Sequence, residues 1–198
     1  MNQKQERIEN IRKVVALETP DYVPIEHVVT PELAIEYAGY PMFEGLWDTS
    51  LIIDAMGKAI PAYDGDFIRS TFYRSPRYYS ALEAKSFVQS KEGYVQHPEV
   101  HAMEDTEYAE LIAGPAAFLA GTCLPRLYQV FDKPEPYRGM ALARGMMTFN
   151  RTFGPFNAAV GQILADNGLP LITSASAEAP FDFLADLLRS FTGISKDV

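Results

Sequence analysis

The chain has 198 residues, 47% hydrophobic and 22% charged, which is the composition of a packed protein rather than a disordered one. Its formal charge of −9 repels a phosphate backbone and an anionic bilayer, so nucleic acid and membrane surfaces are excluded as expected partners. No apolar run of about 18 residues occurs, the N-terminus MNQKQERIENIRK lacks a secretory apolar core, and the single Cys123 rules out an internal disulfide or a Cys₄ metal set, so the expected setting is cytoplasmic.

Residues 4–17 carry Ile8, Ile11 and Val15 at helical spacing, with charge on the other face, and Thr19-Pro20-Asp21 stops the helix. Tyr22–Val29 is short, β-branched and apolar, and predicts a strand. Thr30 and Pro31 form an N-cap and first-turn pair for a helix over Pro31–Tyr37 that Gly39 ends, and a second helix follows over Thr49–Ala59. Asp66–Phe72 is the next strand candidate. Residues 73–106 mix aromatics, charges and prolines and read as an inserted cap, with a strand pair around Phe87–Val95 turning near Lys91-Glu92-Gly93. A helix over 107–120 is interrupted at Gly114-Pro115, and 126–139 has a loop composition. A long helical stretch over 140–167 should kink or break at Gly154-Pro155 and end at Asn167-Gly168. Leu169–Thr173 is a third strand candidate. The small-residue loop Ser174–Ala179 leads into a last helix bearing Phe181, Leu184, Leu187 and Leu188, which Gly193 closes.

Strands separated by helices predict an α/β fold with a parallel sheet of βαβ units. Three core strands are too few to close an eight-stranded barrel. The sequence stops just after a helix, a poor place to finish a sheet.

Three stretches resemble the uroporphyrinogen decarboxylase superfamily. Glu6-Arg7 through Pro20-Asp21-Tyr22-Val23-Pro24 is similar to that family's opening helix and P-D-x-V-P turn. The long helix ending in Asn167-Gly168 before Leu169-Pro170-Leu171-Ile172 resembles a later helix-to-strand step. Ala179-Pro180-Phe181-Asp182-Phe183-Leu184-Ala185 resembles the A-P-(F/W)-x-L step after it. The resemblance implies the N-terminal half of a (β/α)₈ TIM-type barrel, helix-rich, with the cap inserted after its second strand, all 198 residues being one partial domain. It implies two chemistries, namely cofactor-free decarboxylation of uroporphyrinogen and methyl transfer between a small methylated substrate, a corrinoid protein and a thiol.

The decarboxylases' R-Q-A-G-R element is replaced here by Glu26–Glu32, which has no arginine, and Ile68-Arg69-Ser70-Thr71 stands where they have Phe-Ser-Asp. A polycarboxylate substrate needs such arginines for bidentate pairing, so methyl transfer leads. Zinc and a corrinoid are implied for the whole enzyme. The family's zinc ligands lie beyond this sequence, so this chain holds no cofactor and is expected to be inactive without a missing C-terminal half or a second copy. The alternatives are decarboxylation of another carboxylate and a non-catalytic half-barrel binding or assembly module.

Chemistry in such barrels sits where strands end. Glu26 and His27 therefore stand as substrate-binding candidates, against a rim pair satisfied by hydrogen bonds, and only one of them can point inward. Arg69, with Arg74 and Arg77 beyond it, could clamp an anion or simply be solvated. Ser174, Ser176 and Glu178 line a loop that a ligand could approach, with N-capping as the plain alternative. Asp186 falls where the decarboxylases carry a substrate-facing tyrosine. His97-Pro98-Glu99-Val100-His101 has two histidines at i and i+4 but a proline between them and does not match H-E-x-x-H, so no metal site is assigned. Cys123 reads as a buried, inert thiol, and the methionines at 140–147 with the aromatics at 149–156 as core or interface packing.

Overall fold

The computed structural model describes residues 3–68, 73–172 and 178–197. The helices are α1 (Gln3–Val15), α2 (Pro31–Ala38), α3 (Met42–Trp47), α4 (Thr49–Ala59), α5 (Pro76–Ala81), α6 (Tyr108–Ala113), α7 (Pro115–Phe118), α8 (Leu124–Leu127), α9 (Tyr137–Asp166), α10 (Pro180–Phe183) and α11 (Phe191–Asp197). Among the described residues the only sheet is an antiparallel pair, β1 (Val88–Gln89) with β2 (Val95–Gln96), in the register Val88 opposite Gln96 and Gln89 opposite Val95.

This overturns the expected half of a TIM-type barrel. The chain is 65% helical, and its described residues carry no alternating series of β/α units. Among the described residues, the three segments read as core strands meet through single parallel bridges, Glu26 with Phe67 and Ile68 with Leu171. Pro24 and Pro170 flank these bridges, and a residue without an amide hydrogen cannot donate to a ladder. The strand pair anticipated near residue 91 does form, as a ladder two residues long on each side.

The chain divides into two compact units. The first comprises Met1–Arg74, Glu92–Tyr94 and Thr152–Ala175. Here α2 starts as its sequence dictates. Thr30 Oγ1 accepts from the amide of Leu33 at 3.3 Å, Pro31 occupies the first turn, and Gly39 closes the helix at φ 73°, where a side chain would be strained. Packing of α2 on α4 buries Ala34, Ile35, Ile52, Ala55, Met56 and Ala59. From Thr152 onward α9 adds Phe156, Val160 and Leu164 to the buried residues. The helix runs through Pro155 without the expected break.

Asn10 ties α1 to the turn after it. Its side-chain amide donates to the carbonyl of Tyr22 at 2.9 Å and its oxygen accepts from the amide of Asp21 at 2.7 Å, with the residue 2% exposed. Asn10→Ala would leave both backbone groups without their partner and is expected to remove about 1–2 kcal/mol of unfolding free energy, read as a lower urea midpoint. An unchanged midpoint would show that the Pro20-Asp21-Tyr22 turn stands without this clamp.

The second unit comprises Ser75–Lys91, Val95–Arg151 and Ser176–Val198. Ala102, Met103, Phe118, Cys123, Leu127 and Leu188 form its buried cluster. Arg189 is buried within it and holds the C-terminal turn. Its guanidinium donates to Asp197 at 2.7 and 2.9 Å and to the carbonyl of Met103 at 2.9 Å. Gly193 does not close the last helix as the sequence suggested. It lies inside α11, and the break falls at Ser190, whose φ of 64° and ψ of 161° leave the helical region.

Candidate functional site

The strongest candidate lies in the first unit, where the three bridged segments converge. The amide of Asp66 donates to the carbonyl of Ile25 and that of His27 to the carbonyl of Phe67, both at 2.9 Å. The amides of Ile68 and Ile172 continue the pattern to Pro170 and Ile68 at 3.1 and 2.8 Å. Side chains alternate along an extended chain and bridged partners point the same way, so Glu26 and Phe67 share one face while His27 and Ile68 share the other. His27 and Ile68 are buried; Glu26 and Phe67 are partly exposed.

Phe67 lines a concavity of about 740 Å³ together with Ile11, Val14, Val15, Val23 and Ile172, among others, and Glu26 is not part of that lining. Its walls are apolar, and the charged side chain among them is Glu18. Val15 and Val23 are 79% and 81% exposed, so this is an uncovered apolar face rather than a closed core.

Arg7 holds the segments in place. Its Nη1 donates to the carbonyls of Asn167 and Gly168 at 3.2 and 2.9 Å, at the C-terminal end of α9 where carbonyls lack helical partners. Its Nε lies 3.6 Å from Asp66 Oδ1, and Asp66 Oδ2 accepts from the amide of Ile25 at 2.9 Å. One guanidinium thus joins α1, the end of α9 and the first two extended segments. Composition gave no hint of this role. The detectable signal was an arginine on the apolar-striped first helix, together with an Asn-Gly helix end far along the chain.

The remaining candidates scatter. Arg69, Ser174 and Ser176 lie outside the described residues. Glu178 and Asp186 are exposed and belong to the second unit. The His97–His101 segment is not helical, and its side chains diverge. His97 packs on Phe87 with ring centroids 4.7 Å apart, His101 Nε2 lies 3.5 Å from Ser190 Oγ, and Glu99 accepts from the amide and hydroxyl of Thr192. Among the described residues no three His, Cys, Asp or Glu side chains converge on a point that could hold a metal ion. Cys123 is buried, and desolvation pushes its thiol pKa up, as an inert thiol requires.

In the second unit Glu107 and Arg126 form a two-armed pair at 2.7 and 2.8 Å, and Glu107 also accepts from the amide of Glu104. The Arg126 hydrogen bond, then the Glu104 amide, hold the Glu107 carboxyl at a pKa of about 2. This is a structural pair that closes the turn before α6. Among the described residues no helix is long and apolar enough to cross a membrane. No family model matches the chain, and no curated protein or solved structure matches it either.

Proposed function

We propose that this chain supplies the substrate-facing part of a cytoplasmic enzyme that moves a methyl group from a small methylated substrate to a corrinoid protein, and that turnover needs a further polypeptide. The observation that carries this reading is the uncovered concavity lined by Phe67, Val15 and Val23. It is apolar, and the charged residue among those lining it is the acid Glu18. A polycarboxylate such as uroporphyrinogen needs arginines to be held, whereas a small methylated molecule needs an apolar surface and few polar groups. The exposed apolar face also calls for a covering partner, either another polypeptide or a second copy.

Two of the three stretches that carry the family resemblance meet at Arg7, which bonds the Asn167-Gly168 end and sits on the same helix as the Asn10 clamp on the Pro20–Tyr22 turn. Zinc, which the resemblance implies, finds no donor set among the described residues.

Calorimetric titration of the chain with methanol, trimethylamine, methoxybenzene and uroporphyrinogen tests the reading. Saturable binding of one methyl donor, weakened about tenfold or more by Phe67→Ala, is the expected result. Binding of uroporphyrinogen would transfer the proposal to decarboxylation. Binding of none of the four, with self-association that Val15→Glu abolishes, would favour a non-catalytic assembly module, for which the exposed α1 face is the specific evidence.

A further inference from the structure

On the side of the bridged segments opposite Glu26, His27 is 5% exposed, and neither ring nitrogen has a hydrogen-bonding partner among the described residues. Buried polar groups nearly always find partners, so this one calls for an explanation. The ring lies against the turn that precedes the second segment. Its centroid is 5.7 Å from that of Tyr63, which in turn lies 5.9 Å from Tyr37 of α2. Gly65 closes directly on it. A Cβ built at position 65 would stand 2.5 Å from His27 Cβ, so the approach requires glycine.

We propose that His27 is an acid-sensitive lock. Uncharged, it lets residues 25–27 close on Tyr63–Gly65; when it takes up a proton, that junction is forced open. An imidazolium in this position would be desolvated without an acceptor in contact. The charged group that acts on the ring is Asp64, from the turn. Glu26 points to the opposite face, and Tyr63 and Tyr37 present aromatic rings.

Burial lowers the His27 pKa below its ordinary value, and the attraction of Asp64 opposes this without overcoming it. The unfolded chain therefore binds the proton more readily. Stability from the uncharged ring is complete above about pH 6.5 and declines as the pH falls below it toward the folded-state value. Because residues 26 and 67 share the face on which the proposed function rests, opening the junction would dismantle that face. The lock itself depends only on His27 and its surroundings and stands whether or not the methyl-transfer reading does.

Two measurements on the full chain test it, namely histidine ring NMR across the acid range and amide hydrogen exchange corrected for intrinsic rates. His27 should titrate below the ordinary histidine range, because burial disfavours its charged form. As it protonates, exchange at residues 25–27 and 65–67 should rise about tenfold or more. His27→Phe should abolish that rise, and Asp64→Asn should shift it to lower pH. An ordinary titration of His27 near pH 6.5 with no change in exchange would overturn the proposal. So would an undiminished rise in His27→Phe. Should His27→Phe fail to fold, an acid transition left in place by Asp64→Asn overturns it equally.

Discussion

Arg7→Ala is expected to cost about 3–5 kcal/mol of unfolding free energy, a large share of the 5–15 kcal/mol that typically holds a domain together. Three groups lose their partner at once. The carbonyls of Asn167 and Gly168 lose a charged donor, and Asp66 loses its counter-ion while still holding the amide of Ile25. The Arg7 and Asp66 side chains are only 13% and 16% exposed, so water replaces the lost contacts poorly. Arg7→Lys should recover part of the loss, because an ammonium can reach the carbonyls or the carboxylate but lacks the planar fork that serves both. Urea unfolding of the three proteins decides the matter. A loss below about 0.5 kcal/mol for Arg7→Ala would show that the junction is held by packing alone.

Phe156→Ala should be of comparable size, about 3–5 kcal/mol, for a different reason. Phe156 is fully buried, and its ring lies 5.1 Å from that of Tyr73, which also faces Phe153 at 5.5 Å. The Tyr73 hydroxyl donates to the carbonyl of Leu46 at 2.7 Å, so the tyrosine is anchored from behind and cannot follow a receding neighbour. A site that cannot collapse keeps its cavity, and the cost then lies at the upper end of the range. Phe156→Leu should lose markedly less, since it keeps most of the buried area. Equal losses for alanine and leucine would mean that ring contacts, not volume, dominate.

These two positions show why legibility was uneven. Local signals in the sequence were read well. Thr30-Pro31 begins a helix and Gly39 ends it because capping and left-handed backbone are decided within a few residues. α1, by contrast, ends at Val15, where Leu17 takes a φ of 60°, before Pro20-Asp21 is reached. Phe156 was legible as probable packing from its place among aromatics on a long helix. Where the reading failed, the competition was not local. Tyr22–Val29, Asp66–Phe72 and Leu169–Thr173 have strand composition, yet their described residues, 22–29, 66–68 and 169–172, are joined by single bridges beside Pro24 and Pro170. Gly154-Pro155 has the composition of a break, yet α9 continues, since a helix with buried residues on the next turn tolerates one missing hydrogen bond.

The candidate site divides in the same way. Alternation alone said that Glu26 and His27 must face opposite ways, but not which of them is buried. Only the approach of Gly65 and Tyr63 placed the histidine inside and left the carboxylate on the open face. The i, i+4 histidines of His97–His101 needed a helix to converge, and the segment is not one.

The sequence by itself determined the charge, the helix boundaries set by caps and prolines, and the apolar stripes, because each depends on residues within a turn or two of one another. Tertiary structure alone decided that the chain is mainly helical, that Arg7 clasps a helix end some 160 residues away, and that one apolar face remains uncovered. Those outcomes depend on which distant surfaces meet, and the free energy of such meetings is written in no single stretch of residues.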